Sequence, residues 1–447
     1  MFSKLTSLIM TIIWISFQTA NAVQLSDYSP FDYEVLFTNP VCKQYSYKTP
    51  IENQDGDLLY AKTKNAYCKS SDSSKNARRK NSPHYRLIQW IKSSKTKEIF
   101  MAYLSFSKKS IANEICNAIK KRNVKFTLIM DRRNEEDANR MATANFLKKC
   151  RPQYVGSDEA NLPTIQTGGH RGGTGYAHNK VVFINPSNRK GEVKIGFSSG
   201  NMSSGTVTHH ENWHFVTTNI ESYFAQAHLC LMNGVLKFGD SKATYSNYIA
   251  KCRNKIETEE ESDIKTFFIP GNGKQAFKAI EGQMRKSKEV QMAAHRFSYT
   301  KLVSLLSKTL VNTRTKVKLV VDDDLYWTGV YKRGMGRNSL LEYGKIRGLE
   351  KKGMQVKYIE TYADNIFEPK SMQLQHNKFL IFSHKSGGGS VFTGAGNLTG
   401  AAFTTNFENF YLISIPSVYR AFRKQYTNFW QNLADSWNEM PVELKLP

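Results

Sequence analysis

Lys97 to Ser107 reads KEIFMAYLSFS, and Lys288 to Ser298 reads KEVQMAAHRFS. The two stretches agree at Lys, Glu, Met, Ala, Phe and Ser and exchange Ile for Val, which marks an internal repeat. The segments downstream of the two copies match as well. Ser110 to Lys121 and Thr300 to Asn312 have helical apolar spacing, and each leads into an apolar run that closes on an acid, VKFTLIMD to Asp131 and VKLVVD to Asp322. Strand, helix and strand in that order predict parallel pairing through a crossover helix, so the chain is expected to hold two α/β halves.

The rest of the chain is consistent with this plan. Its 447 residues suffice for two domains, and 40% hydrophobic, 12% aromatic and 23% charged residues are a globular composition that excludes disordered and collagen-like classes. Lys and Arg number 63 against 38 Asp and Glu, a formal net charge of +25, which points to polyanionic partners, nucleic acid or anionic membrane. At the N-terminus, Lys4, the apolar run LIMTIIWISF from Leu8 to Phe17 and the small-residue site TANA before Val23 read as a secretory signal. Export to the periplasm or the medium is therefore expected. Six cysteines suit that compartment, and sequential pairing, 42 with 68, 116 with 150 and 230 with 252, closes the shortest loops. The expected boundaries are a signal peptide over 1–22, an N-terminal extension over 23–84, a first half over 85–255, a linker over 256–265 around the acidic run KIETEEESD, and a second half over 266–447. The extension reads as polar and irregular, with Ser70 to Ser82 an exposed basic loop, and YRAFRKQYTNFWQNLADSW from Tyr419 to Trp437 as a closing helix.

The chemistry sits in register with the repeat. YAHNKVVFI spans Tyr176 to Ile184 and LQHNKFLIF spans Leu374 to Phe382, two polar HNK heads on apolar strands. Residues i and i+2 of a strand share a face, so His178 lies with Lys180 and His376 with Lys378. Each strand is followed by a second one and a small-residue turn ending in Asn, Ser199-Gly200-Asn201 and Ala395-Gly396-Asn397, and then by an acid, Glu211 in HHENWHF and Glu408 in NFENFYL. Imidazole, ammonium, an amide and a turn that backbone can bring close to an anion compose a phosphate site.

These paired motifs resemble the phospholipase D superfamily, whose signature is HxKxxxxD followed by GSxN, present twice per active site. The resemblance implies two tandem α/β/α sandwich halves with mixed, mostly parallel sheets, and one active site between them. It also implies a metal-independent phosphodiester transfer in which one histidine attacks phosphorus and the other protonates the leaving oxygen, with no cofactor. On that reading His178 is the nucleophile, Lys180, Lys378, Asn201 and Asn397 hold phosphoryl oxygens, and Ser199, Gly200 and Gly396 shape the phosphate cradle. Glu211 is expected to orient His178, and Glu408 to orient His376. The signature Asp is replaced by Asn185 and Ser383, and one Ser by Ala395; since that Asp supports the motif rather than substrate, activity is expected to survive.

Other features carry less. His170 and Arg171, in TGGHRGGTG before the first HNK, are expected at the rim of the site as substrate contacts. His209 and His210 adjoin Glu211, but consecutive strand residues face opposite sides, so no metal is expected. Trp213 reads as core packing, and Asn201-Met202-Ser203 and Asn397-Leu398-Thr399 match the glycosylation pattern by accident of the turns. The expected function is an exported nuclease, with a phospholipase or a non-catalytic binding protein as alternatives, in a monomer that holds both motifs; peripheral membrane contact is the other partner class considered.

Overall fold

The computed structural model describes residues 23–24, 32–42, 46–61, 68, 72–153, 160–331, 336–361 and 373–440. The expected signal peptide lies outside the described residues. Two large sheets carry the chain. The first runs in the order β1 (Val23–Gln24), β2 (Asp32–Thr38), β10 (Glu211–Asn219), β9 (Glu192–Ser198), β8 (Lys180–Ile184), β5 (Glu98–Tyr103), β6 (Lys125–Asp131) and β7 (Thr164–Gly168). The second runs β11 (Ile264–Ile269), β17 (Glu408–Ile413), β16 (Gly389–Gly394), β15 (Lys378–His384), β12 (Ser287–Ala294), β13 (Lys316–Asp322) and β14 (Gln355–Ile359). A small hairpin of β3 (Ser46–Glu52) and β4 (Leu58–Ala61) stands apart.

The repeat is visible strand for strand. β5 and β6 pair in parallel through helix α3 (Lys109–Arg122), as β12 and β13 do through α9 (Thr300–Asn312). Both sheets are mixed, but parallel pairing is the minority, confined to β5/β6/β7 and β12/β13/β14. The expectation of mostly parallel sheets is corrected for a simple reason. After each HNK strand the chain returns through a short connection, as in 185–191 between β8 and β9, and a link of that length makes an antiparallel neighbour, since a parallel crossover needs a dozen residues or more.

The segment after Val23 is also more ordered than its polarity suggested. β2 pairs antiparallel with β10 over seven residues, as β11 does with β17 over six, so the first half draws its outer strand from within 23–84. Helix α2 (Pro83–Lys92) contacts β2 as α8 (Gly273–Lys286) contacts β11, although β3, β4 and α1 intervene between β2 and α2. Ser70 to Ser82, read as a loop, contains the short helix α1 (Asp72–Ala77). Asn76 is buried there, its Oδ1 accepting from the backbone of Val41. The three disulfides are Cys42–Cys68, Cys116–Cys150 and Cys230–Cys252, the sequential pairing.

Three cores stack across the molecule. On the outer face of the first sheet, α2, α3 and α4 (Ala138–Lys148) bury Leu87, Ile91, Ile115, Ile119 and Leu147 against Met101, Leu128 and Val182. On the outer face of the second, α8, α9 and α11 (Gly336–Glu350) bury Ile280, Leu302, Leu306 and Ile346 against Met292, Leu319 and Leu380, with α10 (Asp324–Tyr331) adding Trp327. Between the sheets lies a core that belongs to both halves. Val181, Phe183 and Phe197 of the first sheet meet Phe379, Ile381 and Tyr411 of the second, and the rings of Phe197 and Tyr411 stack at 3.7 Å. Helices α6 (Tyr223–Phe238), α7 (Lys242–Arg253) and α12 (Pro416–Asn432) complete this middle layer, and the short α5 (Gly205–Thr208) precedes β10. The closing helix ends at Asn432, earlier than the sequence suggested, and Trp437 packs beyond it against Tyr326 and Tyr358. The unbroken apolar runs of β8 and β15 after their lysines are explained by this arrangement, because both of their faces are buried.

Candidate active site

The two HNK segments arrive at the seam between the halves as the lead-ins to β8 and β15. Each lies beside the lead-in to the glutamate strand of the opposite half. Ala177 bridges in parallel to Phe407 and His210 to Gln375, with His178 N donating to Phe407 O at 2.9 Å and His376 N to His210 O at 3.0 Å. Those backbone bonds decide the carboxylate partners. His178 Nδ1 donates to Glu408 Oε2 at 2.7 Å, and His376 Nδ1 to Glu211 Oε1 at 3.0 Å. The expected pairing of Glu211 with His178 and Glu408 with His376 is therefore corrected. Within one sheet β9 separates β10 from β8, and two strand spacings of about 4.8 Å put a half's own glutamate out of reach of its histidine.

Several neighbours fix the backbone of these segments. Asp131, closing β6, accepts from Ala177 N at 2.7 Å, and Asp322, closing β13, accepts from Gln375 N at 2.6 Å, so each repeat holds the residue before its histidine with the acid that ends its second strand. Asn409 Oδ1 accepts from Lys180 N at 2.9 Å, and Asn212 Nδ2 donates to Asn377 Oδ1 at 2.9 Å. Sequence reading had not assigned these four. The signal was present, since both strands end in Asp and both glutamates are followed by Asn.

The cations are placed unequally. Lys180 Nζ donates to His178 Nε2 at 3.0 Å and to His178 O at 3.2 Å, whereas Lys378 Nζ donates to His376 O at 2.6 Å and across the seam to Ser199 O at 3.2 Å. Ser199 Oγ accepts from Asn212 N at 3.0 Å, so this hydroxyl helps join the small-residue turn to the glutamate strand. Gly200 has no room for a side chain: a Cβ there would run into the Glu211 carboxylate, and one at Gly396 would run into the Phe410 ring. Asn201 and Asn397 hold equivalent places, and the Oδ1 of each is buried with no partner among the described residues. An amide turns end for end without changing shape, so each can present Nδ2 to an entering anion.

Burial sets the electrostatics. The imidazoles of His178 and His376 keep only 9% and 8% of their side-chain surface exposed. Desolvation pushes the His178 imidazole below its ordinary value, with Glu408 opposing and Lys180 adding to the fall. His376 goes well below, again by burial first, with Lys378, His295 and His209 adding to it. Burial also brings the Lys180 ammonium down to about 8 and Lys378 well below its usual range. A pocket of buried cations and neutral imidazoles is prepared for one kind of guest, an anion whose charge restores the protonated forms.

Other candidates fall outside this cluster. His170 Nε2 lies 3.0 Å from Asp131 Oδ2, in a left-handed backbone conformation of φ 59°, so it braces the strand-end acid. Arg171 is exposed at the surface, 3.9 Å from Asp240. Trp213 is buried in the outer core and its Nε1 donates to Glu211 Oε2 at 3.3 Å. Asn185 and Ser383, in place of the signature Asp, sit at the far ends of the strands. Asn185 Oδ1 accepts from Lys97 N and Glu98 N, and Ser383 Oγ accepts from Tyr419 OH at 2.8 Å, so both substitutions leave the seam untouched.

Residues 280–430, which hold His376, Lys378, Asn397 and Glu408, match the family described as "Cardiolipin synthase, PLD-like domain", and the first half repeats the same fold and site. That match lies in the second half and spans about a third of the chain. Among solved structures, phosphatidylserine synthase from Haemophilus influenzae Rd KW20 shares the fold, with TM-score 0.54 and 14% identity over 79% of this chain and 85% of that one. The phospholipase D family member Nuc from Salmonella typhimurium is also similar, at TM-score 0.28 and 21% identity over 38% of this chain and 96% of that one. The yeast tyrosyl-DNA phosphodiesterase gives TM-score 0.44 and 12% identity over 73% and 86% of the two chains. No curated protein matches. The two HNK motifs of the chain meet in one site at the seam between the halves.

Proposed function

We propose that this protein is an exported, metal-independent nuclease that cleaves phosphodiester bonds through a phosphohistidine. The observation that carries the reading is the seam itself, where two imidazoles, each held by the opposite half's glutamate, share a buried pocket with two ammonium groups. Glu408 on Nδ1 of His178 fixes the tautomer that leaves a lone pair on Nε2, and the Lys180 ammonium that donates to it moves onto the phosphoryl oxygens of the substrate, freeing that lone pair. That nitrogen attacks phosphorus, forming an N–P bond while the P–O bond to the leaving group breaks. His376 gives its proton to the departing oxygen. Water then attacks the phosphohistidine, His376 takes the water's proton, and the N–P bond breaks to release a phosphomonoester. The substrate anion brings the charge that lets His376 carry a proton in this buried place. Lys180, Lys378, Asn201 and Asn397 stabilise the phosphoryl oxygens as charge builds.

Nucleic acid is the favoured substrate because the formal charge of +25 suits a polyphosphate, and binding is expected to weaken steeply with salt. Three disulfides support an oxidising compartment, and no helix among the described residues is long and apolar enough to cross a membrane. A lipid substrate is the second reading, favoured by the family description and by the activity named for the Haemophilus protein. The deciding experiment offers end-labelled single- and double-stranded DNA and phospholipid vesicles to the protein in EDTA, with His178→Ala beside it. DNA cleavage that persists in EDTA and is lost in the variant supports the nuclease; head-group release without DNA cleavage overturns it in favour of the lipid.

A further inference from the structure

His209 lies two residues before Glu211, in the extended backbone that leads from α5 into β10, and its ring comes to the Glu211 carboxylate, which His376 reaches from the other half. Glu211 Oε1 lies 3.0 Å from His376 Nδ1 and 3.7 Å from His209 Nδ1, and ligand atoms of all three fall within 4.8 Å of one another. Two imidazoles and a carboxylate are a common donor set for zinc, and bonds of about 2.0–2.2 Å in a tetrahedron place neighbouring ligand atoms about 3.3 Å apart. The spacing on either side of Glu211 brackets that value. The objection raised from the sequence holds for His209 with His210, which turns away to Gln373 at 2.9 Å, but not for His209 with Glu211.

Two more features fit a metal. Gly205 leaves room for the His209 ring, since a Cβ there would occupy its place, and Trp213 Nε1 on Glu211 Oε2 supplies an outer hydrogen bond that orients the carboxylate. His295 is buried beside the cluster, its ring 4.9 Å from that of His376, and its Nδ1 has no partner among the described residues. The first half carries Leu104 at the equivalent place of the repeat, so this nitrogen is peculiar to one side of the site.

We propose that His209, Glu211 and His376 bind a borderline divalent cation of the Zn²⁺ class, and that its binding reversibly stops turnover. The inference rests on the reading of His376 as proton donor and acceptor. With the metal on Nδ1, the ring keeps a single N–H, and losing it would make an imidazolate; neither the donation to the leaving oxygen nor the return step from water then proceeds. Glu211 is drawn onto the cation as well, and His376 loses its partner. Mg²⁺ and Ca²⁺, which prefer oxygen ligands, are excluded by the two imidazoles.

The test uses untagged full protein, stripped with EDTA and freed of chelator, with Zn²⁺ followed by calorimetry and Co²⁺ by its visible bands, beside His209→Ala and His209→Gln. One ion per chain is expected, with tetrahedral-type Co²⁺ bands in the parent. Both variants are expected to lose at least about tenfold in affinity while keeping the metal-free turnover of a chromogenic phosphodiester. In the parent, stoichiometric Zn²⁺ abolishes that turnover and EDTA restores it. Absence of stoichiometric binding, or equal binding in parent and both variants, overturns the site; binding without inhibition overturns the brake. The calorimetric and Co²⁺ readouts need no turnover, so a protein that cleaves no phosphodiester would refute the proposed function and still leave the metal site decided.

Discussion

His178 and Glu408 are 230 positions apart and 2.7 Å from each other. At the scale of single residues this cross-half pairing is the main correction to a reading that kept each glutamate with its own histidine. It makes a stability prediction independent of substrate. Removing one member of a buried pair strands the other, so His178→Ala and Glu408→Ala should each destabilise, and together they should show a coupling of about 1–3 kcal/mol in denaturant unfolding. The corresponding cycle of His178→Ala with Glu211→Ala should show a smaller coupling, carried only through their shared neighbour Lys180. Strong coupling in the second cycle and none in the first would refute the geometry. The residue types, by contrast, were all legible: both His, both Lys, both Asn and both Glu stand in the repeated motifs.

Among elements, β2 shows most clearly how a polar segment can be structural. Tyr33, Val35 and Phe37 alternate into the middle core and Leu36 into the outer one, while the strand covers the edge of β10. Without it, β10 would offer a row of unpaired backbone groups next to Glu211. A chain begun at Tyr85, the boundary the sequence suggested, should therefore aggregate or fail to fold, whereas one begun at Val23 should be monodisperse; size-exclusion chromatography distinguishes the two. A soluble, active chain from Tyr85 would show that β2 is dispensable. The strand was missed because one short alternating stretch after Val23 has no repeat beside it in sequence; its counterpart, β11, lies more than two hundred residues further along.

For the whole molecule, the shared middle layer and, at His84, the outer layer of the first half bury histidines that must stay neutral. Burial pushes His210 and His214 down to about 3, and His84 and His228 to about 4, from 6.5. The unfolded chain takes up protons at these positions below about pH 6.5 and the folded chain does not, so stability is lost progressively as pH falls from 6.5 toward 4. Burial raises Asp322, Glu261, Glu342 and Glu350, and Asp324 to about 7, which acts in the opposite sense, but these five stand against eight histidines, since burial also lowers His178, His295, His376 and His384. The melting temperature should fall over this range; a rise would show that the buried acids dominate. The duplication, the parallel strand pairs, the crossover helices and the residue types of the site were determined by sequence alone, because each is a local pattern of period, spacing or repetition. The partner of each histidine, the clamps from Asp131 and Asp322, the place of β2 and the gathering of His209, Glu211 and His376 were decided only by tertiary structure. The reason is physical: they depend on how two sheets pack face to face across one core, and that packing joins residues whose separation along the chain carries no record of their distance in space.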